Sequence, residues 1–131
     1  MTFGFVNCNR LHYLESCFKS FLHCTSDYSD KEVIFVDNAS SEPGTKEFFD
    51  YAQGACEELG IRFVSKLNTE RDPANEFAKV LNFIVENAHG EFIIPLQSDM
   101  QFILTSGWLG KYVEVMNRHE FVGCIMLDAQ R

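Results

Sequence analysis

The stretch that most constrains this chain is residues 32–37, Glu-Val-Ile-Phe-Val-Asp. Four consecutive apolar side chains, closed by an acid, do not alternate between two environments. Such a run suits a strand covered on both faces, which calls for helices above and below a sheet. The rest of the chain has the matching rhythm. Thr2–Cys8 reads as a first strand. Leu11, Leu14, Phe18, Phe21 and Leu22 then recur at three- and four-residue spacing, the apolar face of a helix. Residues 38–44 are rich in Asn, Ser, Pro and Gly and read as a turn. A second helix is expected from about Thr45 to Leu59, with Gly60 at its end, and Ile61–Lys66 reads as a third strand. Pro73 suits the first turn of a third helix, capped by Asp72 and running to about Ala88. Its buried face would carry Phe77, Val80, Leu81, Ile84 and Val85. Glu91–Leu96 reads as a fourth strand, with Pro95 marking where pairing stops. Residues 97–106 read as a loop, Gly107–Arg118 as a fourth helix and Phe121–Leu127 as a fifth strand.

Strict alternation of strand and helix implies an α/β fold, three-layer α/β/α, with a mostly parallel sheet of about five strands. Right-handed crossovers favour an order that winds outward as strands 3-2-1 and then places strand 4 on the other side of strand 1. A length of 131 residues fits one domain, 1–131. Phe occurs 13 times, so the core is expected to be aromatic. The formal charge of −8 repels a phosphate backbone and an anionic membrane, so no nucleic-acid partner is expected. A phosphorylated ligand would need a local cation or a metal ion. The cysteines, Cys8, Cys17, Cys24, Cys56 and Cys124, are odd in number and lack a C-x-x-C pair. That disfavours a disulfide framework and a structural zinc site, and suits reduced thiols in a cytoplasmic protein. No apolar run approaches the ~20 residues of a membrane span, and the start, Met1-Thr-Phe-Gly-Phe-Val, lacks the basic region of a signal peptide.

In sheets of this order, ligands bind outside the carboxyl ends of the strands, where the winding reverses. Four segments converge there: Asn7-Cys8-Asn9-Arg10; Asp37-Asn38-Ala39-Ser40-Ser41; Lys66-Leu67-Asn68 with Arg71 beyond; and Gln97-Ser98-Asp99. One polar strand end is ordinary. Four at one edge, two with an Asp, point to a small-molecule site, although either acid alone also suits a turn cap. His12, His23, His89 and His119 are scattered and read as structural, Trp108 as packing at a helix start, and Cys8 as an unactivated thiol.

The segment Val36-Asp37-Asn38-Ala39-Ser40-Ser41-Glu42-Pro43-Gly44-Thr45 resembles the "VDNASSDGT" stretch of family 2 glycosyltransferases, the inverting GT-A type. Further likenesses occur in the family's order. Asn9-Arg10 with Leu14, Cys17, Ser20 and Phe21 resembles that family's opening. Ala78, Asn82 and Ala88-His89-Gly90-Glu91-Phe92 resemble its "A…N…A.GEYI" segment. Leu96-Gln97-Ser98-Asp99 falls at its D-x-D-type motif, and Gly107-Trp108-Leu109 and Val122-Gly123 match the family's next helix and strand. The resemblance implies the N-terminal, nucleotide-sugar-binding portion of a glycosyltransferase of hexosyltransferase type. Its donor would be a UDP- or GDP-type nucleotide-diphosphate sugar, its acceptor a saccharide or a lipid-linked molecule, and its cofactor Mg²⁺ or Mn²⁺.

Residue by residue, the resemblance implies that Asp37 hydrogen-bonds the base, while Asn7, Cys8, Asn9 and Arg10 line base and ribose. Asn38, Asn68 and Ser98 join the donor site, Arg71 meets the diphosphate and Asp99 holds the ion. The sequence departs from the pattern at Gln97-Ser98-Asp99, where only the last acid is present. No position matches the family's downstream catalytic base, and Asp128 aligns with no motif, so the catalytic residue is unknown. Members usually need roughly 200 residues or more, beyond one average domain, so this chain is expected to lack most of the acceptor-binding half. The sheet edge so exposed would be covered either by a homodimer partner or by the chain's own last strand. The alternative is a non-catalytic or truncated nucleotide-sugar-binding module. Dinucleotide binding is disfavoured, because no G-x-G-x-x-G succeeds the first strand. A phospho-acceptor domain would want an acidic pair where Asn7-Cys8-Asn9 stands.

Overall fold

In a computed structural model, which describes residues 1–126, Glu32–Asp37 forms a strand whose six residues are all buried. It is the second of four: β1 (Thr2–Asn7), β2 (Glu32–Asp37), β3 (Arg62–Leu67) and β4 (Ile93–Gln97). The helices between and after them are α1 (Leu11–Cys24), α2 (Thr45–Glu58), α3 (Glu76–Asn87) and α4 (Trp108–Arg118). All pairings are parallel and the order is β3-β2-β1-β4, as the crossover argument predicts. Gly60 takes the left-handed turn expected after α2, at φ 67°.

The pleat sorts side chains into two unequal layers. Phe3, Phe5, Val33, Phe35 and Leu96 face Leu14, Cys17, Phe18 and Phe21 of α1, Phe48, Phe49 and Ala52 of α2, and Trp108 and Leu109 of α4. This layer is aromatic, as the Phe content predicts. Phe35 is fully buried at its centre, with five rings at centroid distances of 4.7–6.3 Å: Phe5, Phe18, Phe48, Phe49 and Phe63. Trp108 packs beside Phe102 and Tyr112, and its indole N–H donates to the Cys24 carbonyl at 2.8 Å. The other face is thin. Ile34 and Val36 meet Val80 and Ile84 of α3, with Val6, Val64 and Ile93 at the margin.

Gly4 lets α3 come down onto β1. A Cβ there would stand 2.7 Å from Cδ1 and from Cγ2 of Ile84. Gly4→Ala is therefore expected to cost about 1–3 kcal/mol by overpacking. Urea denaturation would read this as a lower midpoint at unchanged slope, and adding Ile84→Val should recover part of the loss. An undiminished midpoint in Gly4→Ala would contradict the close approach.

At the amino ends of the strands a buried carboxylate ties the sheet together. Glu32 accepts from the Thr2 hydroxyl, from the backbone N–H of His89 (2.6 Å) and Gly90 (3.0 Å), and from the Arg62 guanidinium. Burial pushes its carboxyl up, but these bonds more than offset that and hold it at about 2. Among the cysteines, Cys17 and Cys56 are buried thiols pushed up to about 12, chiefly by burial.

Several expectations need correction. The fifth strand, expected at Phe121–Leu127, does not form over residues 121–126, and Leu127 and Asp128 lie outside the described residues. An apolar run becomes a strand only where an edge accepts its backbone, and Gly123 interrupts this one. Helix α3 starts at Glu76, because residues 73–75 form a turn in which the Asp72 carbonyl accepts from Asn75 and Glu76. Only Val80 and Ile84 of its apolar set are buried; Phe77 and Val85 are 53% and 61% exposed. Strand β4 continues past Pro95 to Gln97, which the missing donor permits because β4 is an edge among the described residues. No helix among the described residues is long and apolar enough to cross a membrane.

Candidate functional site

The carboxyl ends of the strands are level, with Asn7 beside Asp37, Asp37 beside Leu67 and Val6 beside Gln97. The winding reverses at β1, which has β2 on one side and β4 on the other. The loops after β1 and β4 therefore flank the crevice where such sheets take ligands.

Asp37 is 2% exposed and organises this edge. Its Oδ1 accepts from Asn7 Nδ2 (2.9 Å) and from the Ser40 hydroxyl (2.6 Å), and its Oδ2 accepts from the Ser40 backbone N–H (2.8 Å). An ionised carboxylate offers about four acceptor positions, so about one remains, on Oδ2. Ser40 also accepts from the Asn9 backbone N–H at 2.7 Å, and Asn9 Oδ1 accepts from the Ser41 N–H at 2.8 Å. These bonds hold two left-handed residues, Asn9 (φ 51°) and Ala39 (φ 52°), the non-glycine residues of positive φ among those described. Such conformations cost roughly 1–3 kcal/mol each and concentrate at ligand sites. Glu42 then reaches across to accept from the Leu11 N–H at 2.8 Å, capping α1, whose own N-cap residue Arg10 makes no side-chain cap.

One atom in this network lacks a partner. Asn7 is 1% exposed and its Oδ1 has no hydrogen bond, which is true of no other buried side-chain N or O among the described residues. A buried acceptor left unpaired costs roughly 1–3 kcal/mol, so the site holds back an acceptor at the strand end. Farther along the edge, Asn38 Oδ1 accepts from Asn68 Nδ2 at 3.1 Å, and Cys8 donates to the Asn38 carbonyl at 3.4 Å. Burial pushes the Cys8 thiol up, with Arg71 opposing and Glu76 and Asp37 adding. It stays protonated near neutral pH and is no nucleophile. A cavity of about 220 Å³ opens beside Asn38 and Asn68, walled by Lys66, Asp72, Lys79 and Phe83. That is smaller than the roughly 300–1,000 Å³ of whole-ligand pockets, so it fits one part of a ligand. Neither Asp37 nor Asp99 lines it.

On the other side of the crevice, Arg10 Nη1 lies 2.8 Å from Asp99 Oδ2. Ser98, which precedes Asp99 in the loop after β4, is buried. Arg71 forks onto Glu76 at 2.7 and 2.8 Å, at the start of α3. The structure thus brings Asn7, Cys8, Asn9, Asp37, Asn38 and Asn68 together, and joins Asp99 to them through Arg10. Arg71 is committed to its own helix. Ser40 and Ser41, in the strand-end segment that the sequence marks, and Glu42 hold this loop in place, and the contact of Glu42 with the Leu11 N–H has no local signal. The usable signal is Asp37-x-x-Ser40, a spacing at which an acid bonds the backbone of its own turn.

Among the described residues, no three His, Cys, Asp or Glu side chains cluster closely enough to hold a metal. Asp99 offers one carboxylate. That donor set suits only a hard ion that keeps most of its ligands as waters and substrate phosphates, as Mg²⁺ does.

A parallel sheet that winds both ways from β1, with helices on both faces, is an α/β domain of the GT-A type. The chain belongs to glycosyl transferase family 2, whose sequence profile matches residues 3–128. No curated protein matches it, but solved structures do. S. aureus TarS, residues 1–349, superposes with a TM-score of 0.71 at 17% identity, over 91% of this chain and 32% of that one. The same fragment in complex with UDP gives 0.69 at 18% identity, over 92% and 33%. The mannosyltransferase PcManGT from Pyrobaculum calidifontis, in complex with GDP-Man and Mn²⁺, gives 0.61 at 22% identity, over 75% and 27%. The chain spans about a quarter to a third of the length of these structures.

Proposed function

We propose that this chain is the nucleotide-sugar-binding portion of a glycosyltransferase, taking its donor at the crevice between the β1 and β4 loops. The observation that carries the reading is the placement of Asp37 and Asp99 on either side of the reversal point, Asp37 bonded to Asn7 at the end of β1 and Asp99 paired with Arg10 of the loop after it. The relatives in the fold that were solved with UDP or with GDP-Man and Mn²⁺ support a donor of the same class. The acceptor would be a saccharide or a lipid-linked molecule.

Each residue has a task that its surroundings suit. Asp37 would present its remaining Oδ2 position to a base N–H, and Asn7 its unpaired Oδ1. The Asn38–Asn68 amide pair would border the base or ribose, beside the small cavity. Arg10 carries the cation of the β1 loop, where an acidic chain most needs one to face a diphosphate. Arg71 would join it only on leaving Glu76. Asp99, with Ser98 beside it, would hold Mg²⁺ or Mn²⁺ together with the diphosphate oxygens. Such an ion neutralises the diphosphate and the charge that develops on the departing nucleotide.

Titration calorimetry with UDP and with GDP, each with Mn²⁺, tests the reading. Saturable heat is expected with at least one nucleotide. Asp99→Ala should weaken the Mn²⁺-dependent binding by about ten-fold or more, since even residues one step removed from a metal cost that much. No heat with either nucleotide, together with no effect of Asp99→Ala, would sink the proposal.

A further inference from the structure

We propose that Arg10 is the resident counter-ion of Asp99, a bar across the crevice that makes nucleotide and metal bind together rather than independently. The inference rests on the donor-site reading. The two residues lie 89 apart in sequence, yet Arg10 Nη1 stands 2.8 Å from Asp99 Oδ2. Because β1 and β4 are neighbours, this contact joins the two loops that flank the opening.

The backbone of Arg10 is fixed and its side chain is not. Asn9 before it is held by Ser40 and Ser41, and Leu11 after it by Glu42. The guanidinium side chain remains 54% exposed and that of Asp99 42%. It is long enough to swing to another anion in the same crevice. Cys17, beneath Asp99, is a neutral thiol, so Arg10 is the charge that balances this acid.

A divalent ion arriving alone meets a carboxylate already paired, and its entry would leave two cations side by side. A diphosphate offers Arg10 a substitute anion in a geometry its fork matches, and so frees Asp99 for the ion. Each ligand then raises the affinity of the other by the same factor. A half-exposed ion pair shifts such an equilibrium by up to about five-fold.

The probe is Mn²⁺ alone, titrated into the full chain without nucleotide and followed by electron paramagnetic resonance. Arg10→Ala should bind Mn²⁺ about two- to five-fold more tightly than the original chain. Arg10→Lys keeps the charge and should restore the weaker binding. Arg10→Ala combined with Asp99→Asn should lose the gain, which separates a specific effect from the more negative net charge. With UDP present in the same titration, Arg10→Ala should show a smaller mutual enhancement than the original chain. Equal or weaker Mn²⁺ binding by Arg10→Ala, or a gain that survives Asp99→Asn, would overturn the proposal. Failure of the donor reading shows up separately, as absence of UDP heat in every variant.

Discussion

Phe35→Ala should lower the free energy of unfolding by about 3–5 kcal/mol, the range for emptying a well-packed aromatic site. The ring is fully buried in the middle of β2 and touches rings from β1, β3, α1 and α2. No neighbour can refill that space without leaving its own, because the surrounding rings are themselves held by the sheet and two helices. Domains of this kind are stable by only about 5–15 kcal/mol, so the loss is a large fraction of the total. It should reach the site as well, since Asp37 lies two residues along the same strand. Urea unfolding monitored by circular dichroism measures the effect, with Phe35→Leu as the milder comparison. A loss below about 1.5 kcal/mol in Phe35→Ala would mean that the layer collapses around the gap and gives the site no rigid support.

The second large effect is acid sensitivity through Glu32. Its carboxyl falls from an ordinary 4.5 to about 2 in the folded chain. A group depressed on folding adds stability that is fully present above its unfolded value. That stability is lost as the pH falls from about 4.5 toward 2. The shift corresponds to about 3 kcal/mol, with little screening because the Glu32 side chain is only 7% exposed. Glu32→Gln should therefore be less stable at neutral pH by a similar amount and show a flatter acid limb between those values. Parallel stability curves for the two proteins from pH 5 to pH 2 would rule out this role.

Whatever a single segment determines by itself was legible in the sequence. The unbroken apolar run of β2 required cover on both faces, and strand–helix alternation required parallel pairing, which leads to the order β3-β2-β1-β4. The strand-end residues were legible because polarity changes abruptly there. The features that stayed hidden depend on partners distant in the chain. Asp37 reads as an acid closing a strand, but its burial depends on donors supplied by Asn7 and Ser40, which no local pattern announces. The ion pair of Arg10 with Asp99 has no local signal. The periodicity of α3 marks Phe77 and Val85 as apolar, but it cannot say that the sheet reaches only Val80 and Ile84. The fork of Arg71 onto Glu76, five residues away, likewise depends on how the turn before α3 folds and has no mark in the sequence.

The unequal thickness of the two layers has a consequence for how the molecule breathes. Parting α3 from the sheet disturbs a handful of aliphatic contacts, whereas parting α1 or α2 would tear an interlocked aromatic slab. Partial opening at α3 therefore costs less than parting α1 or α2. That helix walls the small cavity beside Asn38 and Asn68, while the turn anchored by Asp37 is tied to β1 and β2 on the firm side. The edge thus combines a wall that parts more readily with a floor held by hydrogen bonds between β1 and the turn after β2.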